Sequence, residues 1–203
     1  KLFQRVVKMF AYTCSGTFPP LAAFIGGVAA QEAIKAITKK YMPISQFFYY
    51  ETSELVSGLD LEKVKEEVKN IKEDRDLALK LCLGETLLAK LAASRLFMVG
   101  AGAIGCELLK NFAMLSLGTG KEKDKEGRIY LTDPDVIENS NLNRQFLFRE
   151  KHIRKPKSTT AAAVAVSMNN KLRGNIMPLV EKVWDQTESL FNNTFFESLD
   201  IVA

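Results

Sequence analysis

The sequence runs to 203 residues, with 28 Lys and Arg against 24 Asp and Glu, a formal charge of +4, an apolar fraction of 47% and a charged fraction of 26%. These ordinary globular values exclude wholesale disorder and a collagen-like repeat, and the length suits one or two domains with a substantial core. So small a charge excess gives no reason to expect a nucleic-acid partner.

No apolar run approaches the ~20 residues that a membrane helix needs, so no membrane partner is expected. Cys14, Cys82 and Cys106 lie far apart and His152 is the single histidine, so no metal-ligand spacing arises. All three cysteines read as small packing residues. Their odd number and the lack of a signal peptide suggest a reducing compartment. The chain starts at Lys1 inside a helical pattern and stops directly after an apolar run, which reads as a segment of a longer polypeptide.

Apolar residues at helical spacing predict a helix over residues 1–12, and Cys14–Pro20 (CSGTFPP) is rich in breakers. A second helix is expected over Leu21–Lys39, with Gly26 and Gly27 allowing close packing against another element. The aromatic run at Ser45–Glu51 reads as a strand. Thr52–Asp76 is dense in Lys and Glu with i,i+4 pairs and reads as a solvated helix linking two lobes. Leu77–Ala93 is expected to be helical.

The pattern then changes. Arg95–Val99 (RLFMV) is a short buried strand, Gly100–Gly105 a Gly-rich turn and Ala103–Leu117 a strong helix. Gly118–Gly127 reads as a polar loop, and Arg128–Thr132 (RIYLT) as a strand ending at Asp133. A helix over Lys157–Asn170, a strand near Asn175–Glu181, a helix near Thr187–Glu197 and a last strand at Asp200–Val202 complete the alternation. Strands alternating with helices predict an α/β fold with a Rossmann-like doubly wound parallel sheet.

The turn reads G-A-G-A-I-G, with Gly100, Gly102 and Gly105 between a strand and a helix. Small residues let backbone N–H groups approach a phosphate, and the helix N-terminus favours an anion. Asp133, at the end of the next strand, is placed to bond ribose hydroxyls. Downstream, Asn141, Asn143, Arg144 and Gln145 precede Lys157 at a helix start. A triphosphate has use for such cations, Arg144 and Lys157 stabilising charge on its phosphates. The same residues also suit a polar loop that caps helices. The glycines and Asp133 alone also fit a nicotinamide- or flavin-dependent oxidoreductase, and an inert interaction segment is a third reading.

Three stretches break this tie: V-G-A-G-A-I-G-C-E-L-L-K-N-F-A at Val99–Ala113, T-D-P-D-V-I-E at Thr132–Glu138, and S-N-L-N-R-Q-F-L-F-R at Ser140–Arg149. Together they resemble the ubiquitin-activating enzymes. T-C-S-G-T-F-P-P-L-A-A-F at Thr13–Phe24, K-E-K at Lys121–Lys123 and H-I-R-K-P-K-S at His152–Ser158 extend the likeness, which is strong over 1–51 and 82–203 and poor over 52–74.

The resemblance implies an adenylation core of the ThiF type. Residues 1–51 correspond to the end of its inactive half, marked by F-I-G-G-V-A-A-Q-E at Phe24–Glu32, residues 52–74 to a charged linker, and residues 75–203 to the truncated start of the active half. It also implies ATP and Mg2+ as cofactors and adenylation of the C-terminal carboxylate of ubiquitin or a ubiquitin-like modifier. Transfer to a cysteine outside this chain and then to ubiquitin-conjugating enzymes would follow. The implied compartment is the cytoplasm, with the nucleus as a second one.

By motif match, Gly100, Gly102, Ala103 and Gly105 border the nucleotide, Asp133 holds the ribose, and Asn141, Arg144 and Lys157 handle phosphates, with Arg144 and Lys157 as the catalytic pair. The chain departs from the family at Arg75-Asp76-Leu77, where a Tyr is usual. The magnesium-binding Asp of the family would fall just past residue 203.

Overall fold

The computed structural model describes residues 2–50, 52–122 and 125–203. They form two compact units, Lys1–Thr86 and Leu87–Ala203.

In the first unit, α1 (Leu2–Thr13) and α2 (Pro19–Thr38) follow the periodicity of the sequence. Pro19 and Pro20 open α2 rather than ending the loop before it, because the first turn of a helix does not use their missing N–H groups. Lys39 closes it at φ 53°. No residue of α2 is buried, and a Cβ on Gly26 or Gly27 would meet nothing within 4 Å, so the expected close packing at these glycines is absent among the described residues.

By length and composition α2 could span a bilayer, which its sequence did not suggest. Glu32 and Lys35, paired at 2.6 Å within it, would be costly there. Glu32 also accepts the Ile44 N–H at 2.6 Å, and Phe24 stacks on Tyr50 with centroids 4.2 Å apart. These contacts hold residues 40–50 along α2. The expected strand at 45–51 does not form: Gln46 sits at φ 75°, no described strand pairs with the segment, and Glu51 lies outside the described residues.

The charged stretch is not one linking helix either. It holds a short turn of 3-10 helix at Ser53–Val56 and the eight-residue α3 (Leu61–Val68). Asp60 caps α3 by accepting from Glu62 N and Lys63 N, both at 3.2 Å. The helix predicted over 77–93 is two, α4 (Leu77–Leu83) and α5 (Glu85–Ala92), broken where Gly84 adopts φ 80°. Glu67 accepts both the hydroxyl and the N–H of Thr86, which hold its carboxyl below the usual range.

The second unit is built on a parallel sheet ordered β5-β4-β1-β6, from β1 (Arg95–Val99), β4 (Arg128–Thr132), β5 (Ile176–Leu179) and β6 (Ile201–Val202). β1 and β4 fall where the sequence places them, in the register Phe97↔Tyr130 and Val99↔Thr132. The chain runs outward from β1 through β4 to β5 and returns to β6 on the other side of β1, so the order reverses between β1 and β6.

One sheet face, through Leu96, Met98, Ile129 and Leu131, packs on α6 (Ala103–Met114) and α7 (Lys157–Met168). The small residues Ala113, Ala161 and Ala165 are buried between these elements. On the other face Phe97 is fully buried against Phe191, with Phe195 edge-on at 5.0 Å. Burial on both faces explains the unbroken apolar run of β1.

The helix expected at 187–197 is shorter. A 3-10 turn spans Asp185–Thr187, and α8 (Asn193–Glu197) begins only after Asn192 caps it. The expected polar loop contains a small antiparallel hairpin, β2 (Lys121–Glu122) and β3 (Lys125–Glu126), with opposite charges facing across it. Residues 123 and 124, including the last Lys of K-E-K, lie outside the described residues. Asn175 Nδ2 donates to Gly118 O at 3.1 Å and Gly127 O at 3.0 Å, closing the base of this hairpin.

Asn169 is almost fully buried. Its Nδ2 donates to Ala113 O at 2.9 Å and Ser116 Oγ at 3.1 Å, and its Oδ1 accepts from Lys171 N, which ties the end of α7 to the end of α6. Asn169→Ala is expected to cost about 1–3 kcal/mol by leaving buried polar groups without this partner, read as a lower midpoint in urea unfolding with an unchanged slope.

Candidate functional site

The carboxyl ends of β1 and β4 carry the residues singled out in the sequence. Gly100 leaves β1 at φ 101° and donates to Thr132 O at 2.7 Å, so the turn is bonded to β4 from its first residue. A Cβ on Gly105 would collide with the Gly100 carbonyl, so the first turn of α6 lies directly on the loop. Gly102 caps α6 with no side chain, leaving the N–H groups of that turn without a capping oxygen.

Asp133 is buried at the end of β4. Its Oδ2 accepts the Ala101 N–H at 2.6 Å and its Oδ1 accepts the Asp135 N–H at 2.9 Å. Both oxygens thus serve the backbone, each with a second lone pair available to a hydroxyl donor.

The segment after Asp133 runs antiparallel to the approach to α7. Val136 bridges Pro156, Ile137 N donates to Lys155 O, and Lys157 N donates to Asp135 O at 2.9 Å. This brings Lys157 to the site. Its side chain is 10% exposed, and its Nζ donates to Asp135 Oδ2 at 2.8 Å.

Asn141 is buried in a 3-10 turn (Asn139–Asn141). Its Oδ1 accepts the Glu138 N–H at 2.9 Å, so it performs the capping that the sequence left as one of two readings. Arg144 is exposed and donates from Nη1 to Ser140 O at 2.8 Å and Asn143 Oδ1 at 3.1 Å. The structure therefore joins the glycine turn, Asp133 and Lys157 in one bonded chain, and carries Asn141 and Arg144 on the loop between Asp133 and Lys157.

Sequence reading passed over Asp135, the link in that chain, although its spacing in T-D-P-D was visible. It named Gln145 without giving it a role and gave none to Ser158. Gln145 Oε1 and Ser158 Oγ are buried without a partner among the described residues. A phosphate-bearing ligand suits the uncapped turn and the buried lysine. The described residues hold no group of three His, Cys, Asp or Glu that could by itself bind a metal ion.

A cavity of about 920 Å³ lies elsewhere, at the amino ends of the strands, among Arg95, Arg128, Tyr130 and Asp200. The glycine turn marks the opposite edge, where folds of this kind take ligands.

Burial pushes the Cys106 thiol up to about 11, and Sγ lies 3.6 Å from Ala101 O, so this cysteine is a packing group behind the turn. Cys82 is half-buried. Cys14 is exposed, contrary to its reading as a packing residue.

A parallel sheet that reverses its order at a glycine turn, with a buried acid on the next strand, defines a doubly wound α/β domain of the nucleotide-binding type. Residues 73–203 match the ThiF family, and the chain belongs to it. Over 197 residues, 97% of this chain, it is 46% identical to the ubiquitin-like modifier-activating enzyme 6 of Homo sapiens. Over its whole length it is 43% identical to the ubiquitin-like modifier-activating enzyme 1 of Homo sapiens. The chain spans 18% of the length of each of these relatives. Among solved structures, E. coli MccB with MccA-N7isoASN superposes with a TM-score of 0.52 at 23% identity, covering 68% of this chain and 39% of that one, a likeness of fold.

Two outcomes test the packing of the site. Gly105→Ala should destabilise the second unit by roughly 1–3 kcal/mol through overpacking, seen in chemical unfolding. In the folded protein at pH 8, iodoacetamide should modify Cys14 and leave Cys106 unmodified until denaturant is added.

Proposed function

We propose that this chain supplies the ATP-handling part of an enzyme that adenylates the C-terminal carboxylate of ubiquitin or a ubiquitin-like modifier. The observation that carries this reading is the bonded chain from the glycine turn through Asp133 to a buried lysine, in a segment whose relatives are named modifier-activating enzymes. The oxidoreductase reading has no use for that lysine, and the relatives reported above lend it no support.

ATP supplies the α-phosphorus, to which a carboxylate oxygen bonds while the bond to the β-phosphate oxygen breaks and pyrophosphate leaves. On this reading Gly102, Ala103 and Gly105 present backbone N–H groups to the nucleotide, while Gly100, whose own N–H is bonded to Thr132 O, borders it by shaping the turn. Asp133 accepts from ribose hydroxyls with the lone pairs left by Ala101 and Asp135. Arg144 and Lys157 offset negative charge on the phosphates, and Asn141 fixes the loop that carries Arg144. The attacking carboxylate is already ionised, so no general base is needed.

Magnesium belongs to the reading as the counter-ion of ATP, held by a residue outside these 203. So do the acceptor cysteine, the conjugating enzymes that receive the thioester, and action in the cytoplasm with the nucleus as a second compartment. The boundaries 1–51, 52–74 and 75–203 are its domain assignment, with the ThiF match at 73–203 in support.

The test is exchange of labelled pyrophosphate into ATP by the full-length polypeptide carrying this segment, with and without ubiquitin. Modifier-dependent exchange is expected, and Arg144→Ala should lower it by roughly 10²-fold. Undiminished exchange in that variant would remove Arg144 from the chemistry.

A further inference from the structure

Lys157 reaches the site on a long flexible stem, and such a side chain has many rotamers open to it. Here it has one. The ammonium donates to Asp135 Oδ2 at 2.8 Å, with the lysine side chain 10% exposed and the aspartate side chain 67% exposed. The backbones of the two residues are also joined, Lys157 N to Asp135 O at 2.9 Å, beside the Val136–Pro156 bridge. Asp135 is in turn fixed from behind, its N–H donating to Asp133 Oδ1 while Asp133 Oδ2 holds Ala101 in the glycine turn. The backbone of Asp135 is therefore held on both its N–H and its carbonyl, and the carboxylate it carries sets where the ammonium stands.

We propose that Asp135 is a positioning residue for phosphate chemistry at this site: it holds the Lys157 ammonium in one place beside the glycine turn before any nucleotide binds. The inference rests on the role given to Lys157 above. An ammonium has three N–H donors, and the Asp135 bond uses one, so the same charge can face a phosphate without leaving its anchor. The carboxylate stands largely in water, where its repulsion of an incoming phosphate is screened, while the lysine sits in the drier part of the site. Fixing the stem in advance removes an ordering cost from the step that the lysine assists.

The experiment is a double-mutant cycle in the full-length polypeptide, using modifier-dependent pyrophosphate exchange and MgATP binding as readouts. Asp135→Asn keeps the shape and the backbone bonds but removes the charge. It should lower kcat roughly tenfold while the KM for ATP changes less than about threefold. Asp135→Glu should recover part of the loss. In a Lys157→Ala background, Asp135→Asn should produce no further loss.

An equal loss in both backgrounds overturns the inference, because the aspartate would then act through something other than the lysine. Loss of exchange in Lys157→Ala with none in Asp135→Asn overturns the inference and leaves the role of Lys157 standing. If Lys157→Ala leaves both exchange and MgATP binding unchanged, the role of Lys157 itself falls, and the inference with it.

Discussion

The second unit depends on what the Asp133 carboxylate does. It ends β4, is buried, and accepts two backbone N–H groups, one from the turn after β1 and one from the chain leaving β4. A buried carboxylate is costly unless its oxygens are satisfied. Here the satisfaction is geometric, because the two donors belong to the segments that must meet at the switch point of the sheet. One side chain thus fixes the path of the glycine turn and the start of the segment that leads, through Asp135, to Lys157. The collision that any side chain at Gly105 would suffer with Gly100 sets the same geometry from the other side.

Much of this was legible in the sequence where local signals and burial agree. RLFMV and RIYLT are short apolar runs bounded by polar residues and glycine, and both are strands over their full predicted lengths. The glycine turn and α6 begin where the spacing places them. Legibility failed where local propensity lacked a partner. The run SQFFYYE has the composition of a strand, but a strand needs a neighbour, and Tyr50 stacks on Phe24 of α2 instead while Phe47 and Tyr49 stay exposed. The charged stretch has helical residues and paired charges, but few apolar positions to bury, so only the capped piece from Asp60 persists as helix.

The site divides in the same way. Gly100, Gly102, Gly105 and Asp133 could be found from spacing, because their work is local to a strand and a turn. The role of Asn141 as a cap was one of two open readings, and only the bond from Glu138 shows it in that role. Asp135 was invisible as an anchor because its partner stands 22 positions later and meets it only after the two segments pair. Cys14 shows the converse: its residue type suggests packing, and its surroundings leave it on the surface.

The amide of Asn175 joins Gly118 O and Gly127 O across the neck of the charged hairpin. Gly120 N bonds Ala92 O, Gly127 N bonds Gly120 O and Arg128 N bonds Ser94 O, all before the chain enters β4. The neck therefore works as a splice point. Residues gained or lost between Gly120 and Gly127 would fall outside these backbone bonds, in a hairpin that is also tied to the sheet through the ion pairs of Lys125 with Asp200 and Glu126 with Arg128. Its length and its charge are thus constrained differently, since a change of charge at Lys125 would take from Asp200 Oδ1 its partner at the start of β6, at the end of the sheet opposite the glycine turn.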